Sequence, residues 1–334
     1  MLFASVLCAT GLSSATAQSD AEAFFHGKEI TFIVPYKPGG GYDQYARLIE
    51  PYLEEETGAR IDVVNLPGSG AVRGTTELFR APSDGLHIGI LPSSALLLAE
   101  MADPEGVRYR VGEFTYFARV ASEPRVLIAT VKSGITNFDD VLSGERELLL
   151  GVTGIGGSTY LDSVITGSAF GLNQKLIRGF DSSADVRLAM LRGDVNAMWG
   201  SSGSVRKTIA SGDAIPILHT SRAPDDILEG VQGVQDLSGD LAPEQQALLD
   251  AWVALSTIGR TLAGPPNMPE DRALFLREAV MAVLTNPAFL ADTEKAGRIV
   301  SVLDADSVVS LAKTAADVDG DVREALVSAH RGGR

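Results

Sequence analysis

The sequence predicts an α/β protein of two lobes, each built on a mainly parallel sheet flanked by helices. Short apolar runs alternate with amphipathic helical stretches from residue 29 onward, an order typical of βαβ units with parallel strands. The alternation occurs in two separate blocks, and 334 residues are too many for one compact core. Because no long Pro/Ser-rich linker separates the blocks, we expect short crossing segments between the lobes.

The first block begins with a strand predicted over 30–34, a glycine-rich turn and a helix that starts near Tyr42. Apolar residues recur in this helix at three- and four-residue spacing as far as Gly58, and Pro51 predicts a kink. The same order then repeats along the chain, with strand 61–64, helix 71–80 and strand 86–91.

The second block has the same order in the middle of the chain. Its predicted strands are 148–152, 175–177 and 195–199, and its predicted helices are 159–170 and 184–191. Beyond Pro269 the pattern becomes mainly helical, with one apolar face from Leu274 to Val283. The blocks predict lobe 1 over 28–123 and 222–334, and lobe 2 over 124–221.

Residues 1–17 have the pattern of a secretory signal peptide. An apolar run over 2–9 is followed by Ala15-Thr16-Ala17, a small-x-small cleavage site, and then by polar residues. No Lys or Arg precedes the apolar run, so a buried N-terminal strand is the alternative. The single cysteine, Cys8, lies inside this segment. The chain that follows can therefore form neither a disulfide nor a thiolate metal site.

Charge and motif content exclude several classes of function. The formal net charge of −15 repels nucleic acid and anionic lipid, so neither is expected as a partner. The four histidines are scattered, and no two have the spacing of metal ligands. A Gly-x-Ser-x-Gly elbow and the Gly-Lys-Ser/Thr of a Walker motif are both missing. We therefore predict no catalytic residue, metal or cofactor, and a protein that is not an enzyme.

Three glycine-rich loops join a predicted strand to a predicted helix, over 39–41, 68–70 and 154–157. In parallel α/β sheets such loops share the edge at which ligands bind. The start of a helix offers free N–H groups and a partial positive charge, and glycines let an anion approach them. The loops therefore predict an anion cleft between two jaws, and a set of plain tight turns is the alternative.

Three kinds of side chain near these loops, an aspartate, three arginines and a tryptophan, have two interpretations each. Asp43 either caps the first helix or contacts a ligand. Arg73, Arg125 and Arg178 are candidate anion partners or solvated charges. We favour Arg178 as a closing contact, because it ends a predicted strand on the same edge as the loops. Trp199 also ends a strand and is either a core residue or a stacking platform.

In this combination the motifs resemble those of the substrate-binding proteins of tripartite tricarboxylate transporters, the Bug/TctC family. The similar segments cover nearly the whole chain after the signal peptide. They are Val34 to Asp43, Asn65 to Gly70, Pro82 to Gly85, Gly154 to Ser158, Arg178-Gly179, and a tail at 266–269 and 286–287.

The resemblance implies a type II-like periplasmic binding protein with a ligand cleft between its lobes. It further implies a periplasmic monomer that captures a small di- or tricarboxylate and delivers it to the permease subunits of a transporter. It assigns these residues to the ligand: Gly40, Gly41, Tyr42, Asp43, Gly70, Ala71, Ser93, Ser94, Gly157, Ser158 and Thr159. The loop pattern itself adds Tyr36, Gly39, Gly68, Ser69, Gly156, Arg178 and Trp199.

Some positions depart from the family pattern, and two other functions stay open. Tyr160 replaces the usual histidine, and Ile177 replaces the usual aromatic residue. One alternative is an orphan receptor that presents its ligand to a membrane sensor. The other is a nucleotide-dependent Rossmann-like enzyme, since the stretch 68–74 resembles a dinucleotide fingerprint whose last glycine comes one residue late. In such an enzyme an acidic residue binds the ribose of the nucleotide, and Asp84 is badly placed for that role.

Overall fold

The computed structural model of the protein describes residues 20–222 and 226–332. The signal peptide predicted over 1–17 lies outside the described residues. The strands form two sheets: β1 Glu29–Val34, β2 Arg60–Asn65, β3 His87–Pro92, β4 Thr115–Ala121, β5 Arg125–Thr130, β6 Leu148–Gly151, β7 Gln174–Ile177, β8 Ala197–Ser201, β9 Ala214–His219, β10 Arg260–Gly264 and β11 Leu303–Asp304.

A first helix, α1, covers 20–25 of the described residues. The other helices are α2 Gly41–Thr57, α3 Val72–Arg80, α4 Ser93–Ala102, α5 Asp139–Leu142, α6 Ser158–Phe170, α7 Ser183–Arg192, α8 Ser202–Ala210, α9 Pro243–Ser256, α10 Glu270–Thr285, α11 Pro287–Lys295, α12 Ala305–Ala316 and α13 Gly320–Gly332.

The first sheet has the strand order β11-β4-β10-β3-β1-β2. Strands β1, β2 and β3 run parallel, as the βαβ pattern predicts, and the apolar side chains of β1 alternate into a buried core. Strand β10 is antiparallel to both β3 and β4, and β11 is antiparallel to β4. The sheet is therefore mixed, with a parallel half and an antiparallel half.

The second sheet has the order β7-β6-β8-β5-β9, and it is mixed in the same way. Strands β6, β7 and β8 are parallel, whereas β5 is antiparallel to β8 and β9. Strand β4 passes from the first sheet directly into β5 of the second through only three residues, 122–124. The two-lobed α/β fold is confirmed, and its sheets are mixed rather than mainly parallel.

The first long helix, α2, shows how local sequence positions the cleft. It begins after Gly40, whose backbone is extended, and it ends at Gly58, whose left-handed φ of 65° suits glycine. The helix continues through Pro51 to Thr57. Its buried face includes Tyr45. The start of α2 is thereby held at the edge of the first sheet, beside the carboxyl end of β1.

The two sheets are also joined behind the cleft, where α6 of the second sheet packs against α9 and α13. Trp252 of α9 donates its Nε1–H to Asp162 Oδ1 of α6 over 3.0 Å, and its ring packs edge-on against Trp199. The hydroxyl of Tyr160 donates to the carbonyl of His330 at 2.6 Å. We propose the crossing at 122–124 as one lobe boundary, because β1–β4, β10 and β11 share one sheet and β5–β9 the other.

Within the described residues, no single helix is long and apolar enough to cross a membrane. The pair α10 and α11 passes the same test together, but it is bent by 59°. Over 20–222 and 226–332, His, Cys, Asp and Glu side chains form no group of three or more that could hold a metal ion.

Candidate functional site

The lobes enclose a cavity of about 40 Å³ between the two sheets, which we call the outer chamber. Helices α2, α6 and α7 all begin in or beside its wall, so their free N–H groups and partial positive charges are concentrated there. The chamber is lined by Tyr36, Gly40, Gly41, Tyr42, Arg125, Thr153, Ser158, Thr159, Ser183, Gly200, Ser201, Ser204 and Arg260.

Arg125 enters the chamber from the second sheet. It is the first residue of β5, and it pairs with Ser201, the last residue of β8, because the two strands are antiparallel. Its Nε and Nη2 groups donate to Asp162 Oδ2 over 2.7 and 2.5 Å. Burial raises the pKa of Asp162, while Arg125 and Trp252 act against that rise. A buried carboxylate therefore fixes one edge of the Arg125 guanidinium.

Arg260 enters the same chamber from the first sheet. It begins β10 and pairs with Pro92 at the end of β3, again because the strands are antiparallel. Its Nη1 bonds to the carboxylate of Glu123, and its Nη2 donates to Ser201 Oγ at 3.0 Å. Burial acts to lower the pKa of Arg260, but Glu123 and nearby tyrosines outweigh it and raise the pKa. The guanidinium remains charged although it is buried.

Two tyrosines complete the wall on the side of the first lobe. The rings of Tyr36 and Tyr42 lie 4.9 Å apart, and the guanidinium of Arg260 lies 4.9 Å from the Tyr42 ring centre. Burial is the main cause that raises the pKa of both phenols. Both tyrosines are therefore neutral hydrogen-bonding groups at physiological pH.

A second cavity of about 30 Å³, the inner chamber, lies on the other side of these arginines. The two chambers share four lining residues, which lie between them: Tyr42, Arg125, Ser158 and Arg260. The inner chamber is lined further by Ser94, Ala95, Glu123, Leu161, Asp162, Ser256 and Gly259.

The structure brings part of the predicted site together in these chambers. The outer chamber contains six of the residues predicted from sequence, namely Tyr36, Gly40, Gly41, Tyr42, Ser158 and Thr159. Ser94 lines the inner chamber, where its hydroxyl donates to the carbonyl of Leu255. We propose these seven residues as part of the ligand site.

Gly41 shows why this loop contains glycine. A Cβ at Gly41 would lie 2.9 Å from Ser204 Oγ and 3.3 Å from Arg260 Nη2. Ser204 belongs to the second lobe, so any side chain at this position would separate the lobes and displace the guanidinium.

The second glycine loop, which includes Gly68 and Ser69, does not line either chamber. Its Gly70 is left-handed at φ 65°, and a Cβ there would come within 2.5 Å of the Gly154 carbonyl oxygen in the other lobe. Gly156 also lies close to the Gly70 carbonyl oxygen, which a Cβ at Gly156 would approach to 2.9 Å. This loop, with the buried Ala71 and Gly157 at its contacts, closes the two lobes on one another.

Asp43 and its neighbours support the first loop from inside. The carboxylate of Asp43 accepts from the Gly39 N–H at 2.9 Å and from the Asn65 side chain at 3.0 Å, and it pairs with Arg47. Gly39 itself is exposed. Asp43 therefore lies outside both chambers and orders the loop that forms their wall. Ser93 is also structural, since its hydroxyl bonds to Thr261 at 2.7 Å.

Two sequence-based expectations require correction. Arg178 does not face the glycine loops: it is exposed, it lies 5.9 Å from the Tyr160 ring centre, and it lines a separate surface groove with Lys175. The reason is that β7 is an edge strand, so its end lies at the margin of the sheet. Trp199 is fully buried against Trp252 and is a core residue, as its alternative interpretation stated.

The sequence did not reveal Arg260, nor did it show which of three candidate arginines enters the site. An arginine that begins a strand would lie far from the ligand edge if all strands were parallel. In the mixed sheets the antiparallel strands β5 and β10 bring their first residues to that edge. Ser201 and Ser204 were also missed, although the Ser/Gly-rich run at 200–204 resembles the other loops in composition.

No protein-family model matches the sequence. A relative from Pseudomonas sp. strain P51, the UPF0065 protein in the tcbD-tcbE intergenic region, is 30% identical over 48% of this chain and 49% of its own. The chain thus spans about half the length of that relative. In Bordetella pertussis, a UPF0065 protein is 25% identical over 84% of this chain and 82% of its own. Protein BugT of the same organism is 28% identical over 36% and 37%.

Solved structures show the same fold over most of the chain. The periplasmic binding protein BugD has a TM-score of 0.72 at 20% identity, covering 86% of this chain and 94% of BugD. A TctC solute binding protein from Polaromonas has a TM-score of 0.59 at 17% identity, covering 86% and 95%. The chain is thus similar in sequence to UPF0065 and Bug proteins and shares the fold of Bug and TctC-type binding proteins.

A further structure of this fold is MatC from Rhodopseudomonas palustris with bound malate. Its TM-score is 0.73 at 17% identity, and the match covers 90% of this chain and 99% of MatC. In the chain described here, the outer and inner chambers lie between the two lobes.

Proposed function

We propose that the protein is a solute-binding component of a transporter, which captures a small organic carboxylate between its lobes. One observation carries the proposal: Arg125 from the second sheet and Arg260 from the first sheet line the same enclosed chamber. An anion between them would receive charge-assisted hydrogen bonds from both lobes at once. The ligand would thereby stabilise the closed arrangement.

Free hydrogen-bond donors support this proposal. A guanidinium carries five N–H groups in a rigid fork. Asp162 takes donors from Nε and Nη2 of Arg125, while Glu123 and Ser201 take donors from Nη1 and Nη2 of Arg260. Each guanidinium thus keeps donors for a ligand, and its acidic partner fixes its orientation.

The loop and chamber geometry favours binding over nucleotide chemistry. The Gly70 loop, which resembles a dinucleotide fingerprint, is covered by the backbone of Gly154 in the other lobe. A pyrophosphate would need that space. The outer chamber of about 40 Å³ has room for only a small group. We accordingly propose capture without catalysis.

The biological setting is part of the same proposal. Neighbours in fold are described as periplasmic binding proteins, and one holds malate. These descriptions support a periplasmic location and a carboxylate ligand. The proposal extends to a monomer that delivers a di- or tricarboxylate to the permease subunits of a tripartite transporter. Both the permease partner and the monomeric state follow from the family resemblance.

Ligand identification tests the proposal directly. Mass spectrometry of the molecule released on unfolding the purified protein should reveal an organic acid. Thermal unfolding should then shift upward with organic carboxylates, since a ligand at about 100 times its Kd adds about 2.7 kcal/mol of stability. NAD, ATP and sugars should produce no shift. A response to nucleotides alone would contradict the proposal.

A further inference from the structure

The two chambers differ in the charge of their walls. Among the described residues, the outer chamber is lined by Arg125 and Arg260 and by no acid. The inner chamber is lined by the same two arginines together with Glu123 and Asp162. Both arginines are paired with these acids, but the acids line only the inner chamber, so the outer wall presents guanidinium groups alone and the inner wall presents both charges.

This difference decides what each chamber accepts. A carboxylate in the inner chamber would lie against two buried carboxylates, and like charges at short range in a site of low dielectric are strongly unfavourable. An ammonium group there would lie against the two guanidinium groups and be repelled in turn. A balanced wall favours a group without charge.

The hydrogen-bonding groups of the inner wall match a hydroxyl. A hydroxyl both donates and accepts, and the inner wall offers carboxylate oxygens and guanidinium N–H groups side by side. Asp162 Oδ1 accepts only the indole of Trp252, and Glu123 Oε1 accepts only the Gly203 N–H at 3.1 Å among the described residues. Each oxygen therefore retains a lone pair for a further donor.

The size of the inner chamber sets a limit on the group it holds. Its volume of about 30 Å³ compares with 10–15 Å³ for one water on the same scale, so it accepts a hydroxyl but no long chain. The small side chains of Ala95 and Ser256 leave this space. The two chambers adjoin at Tyr42 and Ser158, so a small molecule that passes between these side chains would enter both.

We propose that the inner chamber is a second subsite that receives an uncharged hydroxyl of the ligand. The inference rests on the proposed function: the carboxylates bind in the outer chamber, and the hydroxyl selects hydroxycarboxylates over acids that lack it.

Matched acids test this subsite by calorimetry. Three pairs differ by one hydroxyl: malate and succinate, lactate and propionate, citrate and tricarballylate. At least one hydroxy acid should bind about tenfold more tightly than its partner, the value of one good hydrogen bond. Equal affinities within every pair would overturn the subsite and leave carboxylate capture intact. Failure of all six acids to bind would overturn the proposed function itself.

A variant that fills the inner chamber provides a second test of the subsite. Ser256 is half-buried at the end of α9, so Ser256→Leu places an isobutyl group in the chamber while changing little of the core. This variant should lose the tenfold preference and bind the acid without a hydroxyl as before. Thr257→Leu is the control, because Thr257 is the exposed neighbour and lines neither chamber. An unchanged preference in Ser256→Leu, with folding verified by circular dichroism, would overturn the inference.

Discussion

Arg125 and Arg260 belong to different sheets, yet they line the same two chambers and each is held by its own buried acid. Arg125 is held by Asp162 and Arg260 by Glu123. Both arginines begin antiparallel strands, and this direction brings them to the ligand edge. The cleft therefore depends on these antiparallel strands as much as on the glycine loops.

Asp162→Asn should destabilise the ligand-free protein strongly. The change leaves the Arg125 guanidinium buried without its carboxylate, which costs about 3–5 kcal/mol of unfolding free energy. Urea unfolding measures the loss. Asp194→Asn is the control, since the pair of Asp194 and Arg192 is exposed at the surface and should contribute little. Equal, small effects in both variants would show that the buried pair is not needed for stability.

Arg125→Lys should weaken ligand binding, whereas Arg178→Ala should not. Lysine keeps the charge but loses the planar fork, and loss of a charge-assisted hydrogen bond costs about 1.5–3 kcal/mol, or roughly 10- to 150-fold in affinity. Arg178 is exposed and outside both chambers, so its removal should change affinity by less than about twofold. Calorimetry with the copurified ligand compares the two variants. A larger loss of affinity in Arg178→Ala would show that Arg178 contributes to ligand binding.

Gly40→Asp should abolish binding, and Gly40→Ala should retain it. The φ of Gly40 is −80°, which any residue adopts, and a Cβ there would meet Ser182 and Ser183 at ordinary contact distances of 3.5 and 3.6 Å. Alanine therefore fits. A carboxylate at this position would repel the carboxylate of the ligand in the outer chamber. Undiminished affinity of a folded Gly40→Asp variant would show that the first loop does not lie beside the carboxylate of the ligand.

Gly70→Ala should impair closure of the lobes. Its Cβ would lie 2.5 Å from the Gly154 carbonyl oxygen across the cleft, so the closed form is opposed while an open form is not. We expect at least a tenfold loss of affinity, mainly through faster dissociation in stopped-flow measurements.

Gly171→Ala separates this clash from backbone strain. Gly171 has a similar φ of 61°, but no atom lies within 4 Å of a Cβ built there. Both variants should lose about 1 kcal/mol or more of folding stability from the left-handed conformation. Only Gly70→Ala should lose affinity. Equal affinities in the two variants would show that the 70–154 contact does not control ligand retention.

The sequence identified the βαβ blocks because hydrophobic periodicity and glycine-rich turns are local properties. It also predicted that the first loop, from Gly40 to Tyr42, faces the cleft, and these residues line the outer chamber. Strand direction is not a local property, so the antiparallel strand β10 and its first residue, Arg260, could not be inferred from the pattern. The contact between the Gly70 loop and Gly154 also could not be predicted from the sequence, because only the tertiary structure brings these residues together.

The packing of α6 against α9 and α13 makes the two sides of the cleft unequal. Behind the chambers, Trp199 and Trp252 are fully buried at the junction, and separating them would expose a large apolar area to water. Near the outer chamber, the contacts between the lobes include the exposed pair of Lys37 and Asp181, which water readily replaces. We therefore expect the lobes to separate on the Lys37 side, where the ligand would enter, while the tryptophan junction stays packed.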